Sequence, residues 1–135
     1  MLNLEKNFFK KRILIYGLGK SGLSTYSFLK KSNVISLFDD RIITKKKIKN
    51  THTTYNEIIK KDFDCIIISP GIDINKCKLS RFLKKNHKKI YTDLDIFYSQ
   101  YADNQKITIT GTNGKSTTAK LLYDILKDQK KDVRL

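Results

Sequence analysis

The chain has 135 residues, 39% of them hydrophobic, which suits one ordinary domain or one domain and part of another. Its net charge is +15, but only 4 of the 28 Lys and Arg residues are arginines, and the lysines are spread in pairs. A nucleic-acid site would be more local and richer in arginine, so no nucleic-acid partner is expected. Two cysteines without metal spacing, a start without an apolar leader and the lack of a membrane-length apolar run indicate a cytoplasmic protein.

The first predicted unit is a strand, a glycine turn and a helix. Arg12–Tyr16 is a continuous β-rich run, typical of a parallel strand that is buried on both faces. It ends at GLGKSG (residues 17–22), and the apolar spacing after this turn predicts a helix to about Ser32. These elements predict the first βα unit of a Rossmann-like sheet, in which the glycines permit close approach of a pyrophosphate.

Two acids follow the second predicted strand, Val34–Phe38. Asp39 and Asp40 lie about 20 residues after the glycine turn, where this architecture places an acceptor for the nucleoside of the ligand. At least one of the two carboxylates is expected to do only strand-end turn chemistry. A nucleotide-like ligand is indicated, and at this point a nicotinamide or flavin dinucleotide stays open.

The remainder of the first domain is predicted to continue the α/β pattern. A lysine-rich connection covers 41–50, and a short strand at 51–55 and a short helix at 56–61 follow it. The clearest interior strand, 64–69, stops at Pro70-Gly71, on the edge of the sheet where such folds bind ligands.

Three more elements are predicted before the domain boundary at 103/104. These are a helix at 76–86, a short strand at 89–92, and a helix that Thr92 caps together with Asp95 and that runs to about Tyr101. His52 and His87 stand in polar surroundings without partners at ligand spacing, so we interpret both as surface residues.

A second strand, glycine turn and helix follow the boundary. Lys106–Thr110 predicts a short strand, and the apolar spacing after GTNGKSTT (residues 111–118) predicts an amphipathic helix to about Asp128. Two glycines would turn backbone amides into one concavity at the positive end of this helix, which makes an anion site. Residues 133–135 are predicted to open another strand.

This layout is that of a phosphate-binding loop. Lys115 would reach the outer phosphates of a nucleotide, and the Ser116 hydroxyl would coordinate Mg²⁺. The general pattern asks for a glycine where Ile109 stands, so the loop is a variant whose first glycine is Gly111.

The variant loop TGTNGKST (residues 110–117) resembles that of the Mur ligases, ATP-dependent amide-forming enzymes that build the peptide of peptidoglycan precursors. Together with GLGKSGLS (17–24), Asp39-Asp40-Arg41 and SPGI (69–72), the order resembles the branch of the family that adds D-glutamate to UDP-N-acetylmuramoyl-L-alanine. The fold class implied is α/β. A Rossmann-like parallel sheet domain that binds the UDP substrate (1–103) would precede the first strand, P-loop and helix of an incomplete ATP-binding domain (104–135).

The resemblance also implies roles for individual residues. The UDP substrate would be bound by Gly19, Lys20, Ser21, Asp39, Asp40, Arg41 and Gly71, with Lys20 and Ser21 beside the pyrophosphate and the residues 39–41 near uracil and ribose. ATP would be bound by Gly111, Thr112, Asn113, Gly114, Lys115, Ser116 and Thr117, with Lys115 as the catalytic residue and Ser116 as a metal ligand. Lys20 and Asp40 stand where less charged residues are expected in the family.

The implied reaction transfers the γ-phosphoryl group of ATP to the substrate carboxylate, and the amine of D-glutamate then attacks the acyl phosphate. Such a ligase serves peptidoglycan synthesis, and through the cell wall it serves cell shape, cell division and the cell cycle. In the family the D-glutamate site and further metal ligands lie beyond residue 135, so this chain is expected to be inactive as a ligase by itself. We expect a monomer without membrane partners, and residues 104–135 loosely docked or mobile.

Two alternatives stay open from the sequence. One is a stand-alone Rossmann-type nucleotide-binding module whose tail supplies the loop, and the other is a fragment of an NAD(P)-dependent oxidoreductase built on the first glycine turn. An oxidoreductase has no use for Gly114-Lys115-Ser116 after a strand, which favours the ligase.

Overall fold

The computed structural model describes residues 8–41 and 52–134. These residues form two compact units, one that reaches to Ala102 and one that begins at Asp103. The division falls one residue before the boundary predicted at 103/104.

The first unit is built on a four-stranded parallel sheet. Its strands are β1 (Arg12–Tyr16), β2 (Val34–Phe38), β3 (Cys65–Ile68) and β4 (Ile90–Tyr91), in the order β2-β1-β3-β4. In the register, Ile15 of β1 lies between Leu37 of β2 and Ile67 of β3. Because β2 and β3 lie on opposite sides of β1, the strand order reverses beside β1. The predicted α/β class with a parallel sheet is confirmed.

The alternation of side chains along the strands makes two separate cores, one on each face of the sheet. Ile13 and Ile15 of β1 point to one core, while Leu14 and Tyr16 point to the other, and all four are fully buried. The sequence of β1 is a continuous apolar run because a core covers each of its two faces.

Among residues 8–41 and 52–102 of the first unit, four helices are present. They are α1 (Lys20–Leu29), α2 (Tyr55–Ile58), α3 (Ser80–Lys85) and α4 (Asp93–Gln100), and a 3₁₀ turn covers His87–Lys89. Buried residues of α1 and α4 lie in the first core, and buried residues of α2 and α3 lie in or beside the second. The predicted capping box of Thr92 and Asp95 is present at the start of α4. Within the described ranges, no helix has both the length and the apolar character that membrane crossing requires.

Several predictions about this unit need correction or lie outside the described residues. Helix α2 ends at Ile58 and α3 begins at Ser80, so both are shorter than the helices predicted at 56–61 and 76–86. Helix α1 ends at Leu29, earlier than the predicted end near Ser32. The side-chain amide of Asn33 caps this end, because its Nδ2 donates a 2.9 Å hydrogen bond to the Leu29 carbonyl. In place of a strand at 51–55, a single parallel bridge joins His52 to Leu37, since Thr54 is taken up by the capping box of α2. Most of the lysine-rich connection, 42–50, lies outside the described residues.

His52 is only partly exposed, so its interpretation as a surface residue holds in part. Its ring stacks on Phe38 with ring centroids 5.7 Å apart, and its Nε2 atom is buried. The parallel bridge brings the residue to the edge of β2, a contact that the polar local sequence does not predict. His87 is exposed, as predicted.

The second unit contains helix α5 (Lys115–Asp128). The segment Lys106–Thr110, which was predicted to form a strand, has no regular secondary structure. Residues 131–134, which include part of the strand predicted at 133–135, have none either. A strand satisfies its backbone groups only by pairing with a neighbour, and the described part of this unit offers none. None of the residues of α5 is buried, and Leu121 and Ile125 on its apolar side are 61% and 46% exposed.

Candidate functional site

A cleft of about 460 Å³ opens at the carboxyl ends of the parallel strands in the first unit. Loops that follow β1, β2 and β3 form it, at the place where the strand order reverses and where open α/β sheets bind ligands. All seven residues that were predicted to bind the UDP substrate line this cleft: Gly19, Lys20, Ser21, Asp39, Asp40, Arg41 and Gly71. The fold therefore brings together three segments that are far apart in sequence.

The glycine turn after β1 is packed tightly against the end of β3. Gly17 has a φ of +92°, and the Ser69 hydroxyl donates a 2.8 Å hydrogen bond to its carbonyl oxygen. A Cβ atom at Gly22 would lie 1.9 Å from the same oxygen, so only glycine fits there. At Gly19, by contrast, a Cβ atom would meet nothing within 4 Å. The outer glycines fix the turn, and the middle one leaves open space beside the cleft.

The start of α1 is positively charged and faces the cleft. Gly19 is its N-cap and Lys20 its first residue, and the backbone amides of a first helical turn make a site for anions. The Ser21 hydroxyl donates a short hydrogen bond to the carboxylate of Asp93, the first residue of α4. Sequence reasoning gave Asp93 no role beyond its place at the start of that helix.

Asp39 performs the turn chemistry that was expected of one of the two acids. One carboxylate oxygen accepts from the Leu18 amide at 2.6 Å, and the other accepts from the Arg41 amide at 2.9 Å. This carboxylate ties the glycine turn after β1 to the loop after β2.

Asp40 has different partners. One of its carboxylate oxygens accepts a 2.6 Å hydrogen bond from the Tyr16 hydroxyl, and the other accepts a long bond of 3.4 Å from the Lys78 amide. The Lys78 ammonium donates to the backbone carbonyl of Asp40 at 3.0 Å. Burial of Tyr16, and then its hydrogen bond to Asp40, raise the pKa of the phenol far above its ordinary value. The hydroxyl therefore stays a donor at physiological pH.

Sequence reasoning missed Tyr16 and Lys78. Tyr16 was assigned only to a strand, although a hydroxyl in an otherwise apolar run signals a buried polar partner. Lys78 is one of many lysines, and nothing in the sequence distinguishes it.

The segment predicted to be a phosphate loop has two glycines with positive φ. Gly114 is the N-cap of α5 in the left-handed region, at φ +76°, and Gly111 has a φ of +151°. The Lys115 ammonium folds back over the loop and donates to the carbonyls of Gly111 and Thr112. A Cβ atom at Gly114 would meet nothing within 4 Å.

The predicted ATP-binding residues lie in one exposed segment, from Gly111 to Thr117. A cationic side chain, Lys115, and the amino end of α5 meet in this segment, and both favour an anion. Residues 8–41 and 52–134 contain no cluster of three His, Cys, Asp or Glu side chains that could hold a metal, so among them the Ser116 hydroxyl would be a single ligand for Mg²⁺.

Comparisons with known proteins agree with this geometry. The family model "Mur ligase MurD-like, N-terminal domain" matches residues 11–90, which hold the glycine turn and the cleft. A UDP-N-acetylmuramoylalanine--D-glutamate ligase of Wolbachia sp. subsp. Brugia malayi is 37% identical over a match that covers 91% of this chain and 27% of that protein.

Two further ligases of the same name are similar to the chain. That of Rickettsia prowazekii is 34% identical over 122 residues, covering 87% of the chain and 27% of the relative. That of Caldicellulosiruptor saccharolyticus is 31% identical and covers 88% of the chain and 29% of the relative. The chain thus spans little more than a quarter of the length of these curated relatives. Since the family model matches more than half of its residues, the chain belongs to the Mur ligase family, and its matched part is the MurD-like N-terminal domain.

Proposed function

We propose that this chain is the amino-terminal part of a ligase that adds D-glutamate to UDP-N-acetylmuramoyl-L-alanine in peptidoglycan precursor synthesis. The observation that carries the proposal is that the seven predicted substrate-binding residues line one cleft at the carboxyl edge of the sheet. Family membership and the names of the relatives support the choice of substrate.

In this proposal the first unit binds the UDP end of the substrate. Lys20 and the positive end of α1 would bind the pyrophosphate, since both favour an anion. The loop after β2, with Asp40 and Arg41, would contact the uracil and ribose, and Gly71 would line the same cleft. The fold thus supplies a cation for the phosphates and hydrogen-bonding groups for the nucleoside.

The second unit, in the same proposal, is the start of the ATP-binding domain. The residues Gly111 to Thr117 would bind the phosphates of ATP, and the Ser116 hydroxyl would be one ligand of Mg²⁺. ATP, when bound, supplies the phosphoryl group that activates the substrate carboxylate. Lys115 would stabilise the charge on that group, and the loop carbonyls of Gly111 and Thr112 already hold its ammonium over the loop.

Amide formation is not expected from these 135 residues alone. The chain spans 27% of the length of its Rickettsia and Wolbachia relatives, so we propose that it binds the UDP substrate as a cytoplasmic monomer without completing the reaction.

Calorimetric titration of the purified chain tests the proposal. UDP-N-acetylmuramoyl-L-alanine and UDP are expected to bind, whereas NADH is not. Lys20→Ala is expected to weaken UDP binding, because it removes a cation from the cleft, and Lys61→Ala, which removes an exposed lysine elsewhere, serves as the matched control. Binding of NADH in preference to UDP would instead favour the oxidoreductase alternative.

A further inference from the structure

We propose that Tyr16 is a positioning residue for nucleoside recognition: its buried hydroxyl holds the Asp40 carboxylate at the cleft as an acceptor for a donor group of the nucleoside. This inference deepens the proposed function and rests on it, because it takes the cleft to be the site of a UDP ligand.

Tyr16 occupies a rigid position. It is the last residue of the central strand β1 and is fully buried. Its backbone pairs with Phe38 of β2, and its ring packs against the Phe38 ring with centroids 5.3 Å apart. A group that is fixed on a central strand places its partner more accurately than a loop can by itself.

Asp40, by contrast, lies in a loop and lines the cleft. Without a partner, its side chain would be free to turn among several rotamers. The 2.6 Å bond from Tyr16 removes that freedom, and the Lys78 ammonium fixes the Asp40 carbonyl at 3.0 Å. The side chain and the backbone of one cleft residue are therefore held by two different segments of the fold.

The Asp40 carboxylate, held by Tyr16, can still accept further hydrogen bonds. An ionised carboxylate has about four lone-pair sites. Tyr16 takes one of them, and the Lys78 amide takes another at the long distance of 3.4 Å. Asp39 differs, because both of its oxygens already accept well-formed bonds from the backbone. Each carboxylate thus accepts two bonds, but the second bond of Asp40 is long, so its Oδ2 is the oxygen that a ligand donor, such as an N–H of the base or a hydroxyl of the ribose, displaces most easily.

Binding of two ligands separates a positioning role from a structural one. UDP carries the nucleoside and the phosphates, whereas inorganic pyrophosphate carries only the group that Lys20 and α1 would bind. We expect Tyr16→Phe and Asp40→Ala each to weaken UDP binding by the full chain about tenfold, the scale of one lost hydrogen bond to a charged group. Tyr16→Phe is not expected to change pyrophosphate binding, and Asp40→Ala, which removes a negative charge from the cleft, is expected not to weaken it. In the double variant, the two effects should not add, because Tyr16 acts through Asp40.

A second pair of variants avoids the core. Lys78 is exposed, so Lys78→Met should fold normally while it releases the Asp40 carbonyl, and we expect UDP binding to weaken about threefold. Lys84→Met, which removes an exposed lysine of α3, is the charge-matched control, and Tyr26→Phe is the control for loss of a tyrosine hydroxyl outside the cleft.

The inference is overturned if Tyr16→Phe lowers the melting temperature but leaves UDP binding intact, or if it weakens UDP and pyrophosphate equally. Either result would assign Tyr16 a purely structural role, while UDP binding by the unaltered chain would still support the proposed function. If the unaltered chain binds no UDP, the proposed function fails first, and this inference fails with it.

Discussion

Gly22 is the residue at which the glycine turn tolerates the least change. A Cβ atom there would lie 1.9 Å from the Gly17 carbonyl oxygen, which is backbone and cannot move aside as a side chain can. We expect Gly22→Ala to lower the free energy of unfolding by roughly 2 kcal/mol or more, through overpacking. Gly19→Ala is the matched control, because a Cβ atom there meets nothing within 4 Å. Urea denaturation measures both, and equal stability of the two variants would contradict this packing argument.

The raised pKa of Tyr16 predicts how stability depends on alkaline pH. Burial raises the pKa of the folded phenol far above the unfolded value of about 10, so above that pH the unfolded chain loses a proton that the folded chain retains. Stability is therefore fully present below about pH 10 and falls as the pH rises further, by about 1.4 kcal/mol per pH unit from this group.

Tyr16→Phe is expected to remove this part of the alkaline loss, and Tyr26→Phe is expected to keep it. Denaturation of the three proteins from about pH 8 to about pH 11 provides the measurement. A pH profile of Tyr16→Phe that is parallel to that of the unaltered chain would show that another group causes the loss.

At the scale of residues, the sequence predicted which positions meet at the cleft but not what each does. Asp39 and Asp40 are neighbours with the same side chain, yet one binds backbone amides and the other binds Tyr16. That difference depends on Tyr16, 24 positions before Asp40, and on Lys78, 38 positions after it. Local sequence carries no signal for partners at such separations.

At the scale of elements, helix α5 and strand β3 differ most in burial. Ile66 and Ile67 of β3 are almost fully buried, whereas α5 has no buried residue. We expect backbone amides after Asn104 to exchange hydrogen much faster than those of Ile66–Ile68, since few buried apolar contacts oppose local opening of α5. Hydrogen exchange followed by mass spectrometry gives the measurement. Equal protection of the two segments would show that the second unit is as stable as the sheet.

Prediction from sequence worked for elements whose signals are local. The capping box of Thr92 and Asp95, the glycine turn and the continuous apolar runs of β1 and β3 each occupy a few consecutive residues. It was wrong at Lys106–Thr110, where the alternation of a strand is present but no partner strand pairs with it in the described residues. Strand propensity indicates that a segment fits a sheet. Whether it forms a strand depends on a partner strand from another part of the chain.

At the scale of the whole molecule, the net charge of +15 should act on anionic ligands of every kind. We expect UDP binding to weaken as salt is raised from about 50 mM to about 500 mM, because screening shortens the reach of the field. Uridine, which is neutral, is the matched control and should show little salt dependence. Calorimetric titration at several salt concentrations measures both, and an equal response of the two ligands would indicate that the charge plays no part in attraction.

The cleft has a consequence for how such a protein is assembled. All of its walls come from residues that precede Ala102, and the phosphate loop lies wholly after that point. Under the proposed function, binding of the UDP-linked substrate and its activation by ATP would thus be encoded by two adjoining stretches of gene. Recombination near codon 102 would join the first coding stretch to a different downstream domain without changing any residue that lines the cleft.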